Sequence, residues 1–270
     1  LRILILDRNN GGASSFWPIN GIRMFRPTGR YLLFLAASTL LLVEIHEQGH
    51  AIATRLLCGG WADRVFDNVL TYSGCSASSL AVVDLVGPLF SYAMLWTGAL
   101  MSRRQSPVTR GLGLSLAFAS LPLARVVPQV LVALVAGSTS DEYGFVRRIA
   151  GDAIERAGAG GLALLAALAL TLPPLLMVWR QLPIGRRGRT MSGLLFLPFV
   201  FVILWAATLN SALAHGVLHQ ALLPGWPTLL AVQAAAVAGV VWLLRDEVRR
   251  LVEGDPAPAM TDMSGVPSRP

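Results

Sequence analysis

From Tyr31 to Val43 the chain reads YLLFLAASTLLLV, thirteen positions without a charge, and the apolar pattern carries on past residue 50. A helix needs roughly twenty such residues to cross a hydrocarbon core about 30 Å thick. Six segments meet that length, at about 31–54, 79–101, 111–136, 161–179, 191–214 and 226–244. The pattern predicts an all-α fold, a polytopic membrane bundle of about six transmembrane helices. It divides the chain into an N-terminal segment at 1–30, a six-helix membrane domain at 31–250 and a C-terminal tail at 251–270. The tail, with its GDPAPAMTDMSGVPSRP stretch, has the composition of a disordered segment. No internal repeat is evident.

Composition agrees with a membrane setting. Of the 270 residues 54% are hydrophobic and 14% charged, against about 25% charged in an ordinary soluble domain. The net charge of +7 rests on 22 arginines with no lysine. No basic stripe is interleaved with aromatics, so nucleic acid is not an expected partner. The arginines instead predict orientation. Sixteen lie before the first span, in 102–110, in 180–190 and after the last span; five lie in 55–78 and 137–160, and Arg125 falls inside a span. The positive-inside rule then places both termini in the cytoplasm, with the bilayer of a bacterial inner membrane as the expected location. Trp17, Trp61, Trp179 and Trp226 suit the interfacial belts.

Beyond the first apolar run the sequence turns to EIHEQGH, residues 44–50. Ionisable groups in a span are costly and mark functional sites by default. His46 and His50 are one helical turn apart, so their imidazoles share a face and supply half of a tetrahedral zinc shell. Glu47, about 100° around the helix, can reach a water bound there. In such a site zinc lowers the pKa of water and a carboxylate takes its proton as it attacks a carbonyl, which points to hydrolysis of a peptide bond. Counting from Tyr31, His46 lies about 22 Å into the core, near the non-cytoplasmic leaflet.

Other residues ask for partners. Glu44 and Arg125 come out at one depth, which predicts a buried ion pair between them; the alternative has Arg125 lining an aqueous cavity. Pro122 and Pro128 predict a kinked or unwound third span. Gly87 with Pro88 predicts close helix packing, and Gly158, Gly160 and Gly161 permit close contact or a flexible start to the fourth span. Cys58 and Cys75 fall in one non-cytoplasmic loop, either bridged or as two unlinked residues. His215 and His219 are a second i, i+4 pair. They read as interfacial histidines, or with His46 and His50 as ligands of a di-metal oxidase or metal-handling transporter, the alternative to proteolysis.

HEQGHAIATRLLCGG in span 1, the Gly-Pro of DLVGPLFSY in span 2 and an aspartate beyond a proline-bearing span together resemble the site-2-protease family of intramembrane zinc metalloproteases. The resemblance covers roughly 31–150. It implies a zinc metalloendopeptidase with Glu47 as catalytic base, Zn2+ as cofactor and membrane-anchored proteins as substrates. It further implies His46, His50 and Asp141 as metal ligands, through RVVP followed by SDEYGF. The chain departs from the family pattern at Arg125, where asparagine is usual, and at Glu142, where glycine is common. Simple counting of depth leaves Asp84 as the other candidate for third ligand.

Overall fold

The computed structural model describes residues 27–69, 74–135 and 139–253. Most of the N-terminal segment, Trp17 and residues 254–270 lie outside these ranges. Helix α1, Gly29–Cys58, is capped by Thr28, whose side chain accepts from the Tyr31 amide. A short antiparallel hairpin follows, β1 Arg64–Val65 and β2 Asn68–Val69. Next come α2 Ala77–Met101, α3 Pro107–Ala119 and α4 Pro122–Leu134. The remaining helices are α5 Asp141–Ala150, α6 Arg156–Gln181, α7 Arg187–Ala214, α8 Thr228–Leu243 and α9 Glu247–Glu253. A second hairpin, β3 Ala221–Leu223 with β4 Trp226–Pro227, joins α7 to α8.

The fold is an all-α bundle. Among the described residues five stretches are long and apolar enough to cross a membrane, with α3 and α4 together forming the third, which is compatible with a multi-pass membrane protein. The expected sixth span is observed as α8, sixteen residues or about 24 Å, short of a full crossing. Two further helices stand outside the expected six: α5, and α9, which carries ordered structure three residues past the expected domain boundary at 250.

The third span is broken, as the prolines predict, but at one of them only. Leu121 adopts φ 54° between α3 and α4, the residue before Pro122 being disfavoured in the helical region. Pro128 sits inside a continuous α4.

One core cluster joins Tyr31, Phe34 and Leu35 of α1 to α2, α3 and the buried face of α9. Glu247 on α9 accepts from Thr28 and pairs with Arg30 at 3.2 Å, so the start of α1 and the last described helix lie together. A second cluster packs α1 on α7 and α8, with Phe66 of the first hairpin fully buried among them. Phe66 donates its amide to Asn210 Oδ1 at 2.9 Å. Cys58 and Cys75 are joined in a disulfide that ties the end of α1 to the approach to α2.

Candidate metal centre

Helices α1 and α2 pack antiparallel, and two stripes of every fourth residue meet. His46 and His50 face Ser91, Gly87 and Val83. His50 Nδ1 lies 2.6 Å from the Val83 carbonyl. A carbonyl only accepts, so Nδ1 holds a proton, and in the neutral ring the lone pair is then on Nε2. His46 Nδ1 lies 2.9 Å from Ser91 Oγ, a hydroxyl able to accept the Nδ1 proton and hold the second ring in place. The two Nε2 atoms then face each other at 3.2 Å.

Gly87 makes this arrangement possible. A Cβ there would lie 2.2 Å from His50 Nε2 and 2.5 Å from His46 Nε2. Any other residue would occupy the space between the donor atoms. Pro88 cannot supply the N–H that a regular helix would offer the residue-84 carbonyl, yet α2 continues through it.

The third donor comes from α5. Ser140 caps that helix, its hydroxyl accepting from the Tyr143 amide and donating to Gln129 Oε1. Asp141 is the first helical residue, and its Oδ2 lies 3.4 Å from His46 Nε2 and 3.7 Å from His50 Nε2. Donors around one tetrahedral zinc, at about 2.0–2.2 Å from the ion, lie about 3.3–3.6 Å apart. The spacing and chemistry of the three donors therefore fit one small divalent cation. Among the described residues this is the group of His, Cys and carboxylate side chains that could hold a metal.

Glu47 is buried with its carboxylate 3.9 Å from His46 Nε2. Arg125 Nη1 lies 3.2 Å from Asp141 Oδ2 and 3.5 Å from Glu142 Oε1. Glu142 also accepts from the Tyr92 hydroxyl at 2.9 Å and from Gln129 at 2.5 Å. Burial would raise the Asp141 carboxyl, but the imidazoles of His46 and His50 and the Arg125 guanidinium outweigh it and hold it well below the usual range. Burial prevails at Glu142, whose carboxyl is raised despite Arg125.

The expected Glu44–Arg125 pair is not formed. Glu44 is bound in bidentate fashion by Arg64 of β1, at 2.7 and 3.1 Å. Depth alone does not decide a partner. Glu44 precedes His46 by two residues, about 200° around the helix, so it faces the hairpin while the histidines face α2. Asp84, the alternative ligand, instead accepts from Arg148 Nε at 2.7 Å and holds α5 against α2. Gly144 allows that approach, because a Cβ there would lie 2.5 Å from Asp84 Oδ2.

His215 and His219 are not brought to this centre. Helix α7 ends at Ala214, so their spacing is not helical, and each exposed ring bonds a nearby carbonyl, of Ser211 and Gly216 respectively. Sequence reasoning missed Ser91, Arg64, Tyr92 and Gln129. Ser91 alone had a visible signal, four residues beyond Gly87 on the same stripe.

Two cavities adjoin the centre. One of about 850 Å³ is lined by charged groups, among them Asp84, Asp141, Glu142 and Arg148. The other, about 470 Å³, has His46, Glu47 and Ser91 on its wall and is otherwise mostly apolar. Compared with known proteins, the chain finds no matching family model, no matching curated protein and no matching solved structure.

Proposed function

We propose that this protein is an intramembrane zinc metalloprotease of the site-2 type, hydrolysing peptide bonds of membrane-anchored proteins. The observation that carries this is the joining of three donors at single-ion spacing, two of them and the buried carboxylate beside them supplied by a helix otherwise built for lipid and the third by α5. His46, His50 and Asp141 would hold the ion. The chemistry that zinc supplies in such a donor set is Lewis acidity, polarising a carbonyl and lowering the pKa of water.

The chain's own residues divide the remaining work. Glu47 accepts a proton from the water as its oxygen bonds to the scissile carbonyl carbon. It returns that proton to the amine nitrogen as the C–N bond breaks. Ser91 and the Val83 carbonyl keep the two imidazoles in the orientation that ligation needs. The charged cavity gives water a path to a site within the apolar bundle.

Glu47→Gln in the purified full-length protein tests the mechanism, with cleavage of a membrane-anchored reporter and bound zinc measured together. We expect cleavage to fall by at least about a hundredfold, at the low end of what acid–base catalysis contributes, with zinc retained. Undiminished cleavage would refute the role given to Glu47.

A further inference from the structure

The candidate centre stands on the partition between the two cavities, which share Asp67, Ala124, Arg125 and Pro128 in their walls. The cavities are displaced along α1. Thr54 lines the charged one and Leu42 the apolar one, twelve residues or about 18 Å apart, with His46 and His50 between. The apolar chamber is lined by Val127 and Leu131 of α4 and by Phe199, Val202 and Ile203 of α7. At about 470 Å³ it has the size of a ligand pocket, and its wall includes Glu47. A peptide bond lying at the donors would thus have one flank in each chamber.

Granting the proteolytic function proposed above, we infer that the two chambers select a polarity boundary in the substrate. The apolar chamber takes a bulky aliphatic or aromatic side chain next to the scissile bond, and the charged chamber takes a hydrophilic flank. Substrates are then membrane segments cut where the apolar run gives way to polar residues. Arg125 and Asp67 on the chamber's wall are already engaged, with Asp141 and Glu142 and with Asn210 respectively, and the rest of the lining is mostly apolar, so burying a further charge there is disfavoured. Helix α7, outside the region that carries the metal donors, becomes a specificity element.

The probes are synthetic peptides with a leucine-rich run followed by a Ser/Asn/Asp segment, differing only in the boundary residue: Leu, Ala or Asp. We expect the full-length protein to cut the Leu peptide about tenfold or more faster than the Asp peptide. Val202→Trp, which fills the apolar chamber, should lose the Leu peptide while still cutting the Ala peptide. Equal cutting of all three by the wild type, or a proportionate loss on all three in the variant, would overturn the inference. A second measurement does not depend on turnover or on the folding of the tryptophan variant. Glu47→Gln protein is photo-crosslinked to the peptide carrying photo-leucine at the boundary. Label on 199–203 of α7 is expected, and label confined to 139–148 would reverse the assignment of the chambers. Wild-type protein that cuts none of these peptides, yet crosslinks on α7, would sink the protease proposal while leaving the chamber's apolar selectivity in place.

Discussion

Gly87 is the residue at which the fold and the candidate chemistry meet most tightly. The space it leaves open is the space the donors need, so Gly87→Ala should abolish stoichiometric zinc while leaving helical content by circular dichroism unchanged. A Gly87→Ala protein that binds zinc as the wild type does would show that the two helices can part there at little cost. At Glu44 the issue is charge rather than volume. Both members of its pair with Arg64 are buried, and removing one leaves the other uncompensated. Arg64→Ala should cost about 3–5 kcal/mol, seen as a lower thermal midpoint in detergent. Adding Glu44→Ala should recover part of it. The histidines and Glu47 were legible in the sequence because one helical turn imposes their geometry. Arg64 was not, because its approach to Glu44 depends on a hairpin whose burial no local pattern announces.

Among the elements, α5 does most to complete the centre. It carries Asp141 and is held by Arg148 to Asp84, by Glu142 to Tyr92 and Gln129, and by Arg125. Asp84→Ala should therefore loosen α5 without removing a donor, whereas Asp141→Ala removes one. Zinc content should stay near wild type in the first and fall in the second; the reverse order would make Asp84 the ligand. The helix break at Leu121 was foreseeable from Pro122, but α5 was not. Its sequence DEYGFVRRIA is too polar for a span, and its position is set by ion pairs to residues distant in the chain. The disulfide between Cys58 and Cys75 closes a loop of seventeen residues over the first hairpin. Replacing both with serine should cost about 3 kcal/mol on a loop-entropy basis, measurable as a fall in thermal midpoint.

At the scale of the whole molecule, apolar runs were enough to foresee a helical bundle, since span length is dictated by the thickness of lipid. They overstated α8, whose apolar stretch extends through β4 before the helix begins. Arg30 pairs with Glu247, so the start of α1 and helix α9 lie at one end of the bundle, the end that the arginine count alone would lead one to expect in the cytoplasm. What no linear pattern could reveal is the pair of cavities, because each is built from three or more helices and the apolar one also from the break between α3 and α4. The metal donors lie where those cavities meet, and the functional proposal depends on their holding one ion. The most direct test is zinc content per chain in the purified full-length protein, by native mass spectrometry, alongside Asp141→Ala. One zinc per wild-type chain and a large loss in the variant are the expected result. A chain that binds no zinc, or two metals, or that keeps its zinc without Asp141, would contradict the single three-ligand centre.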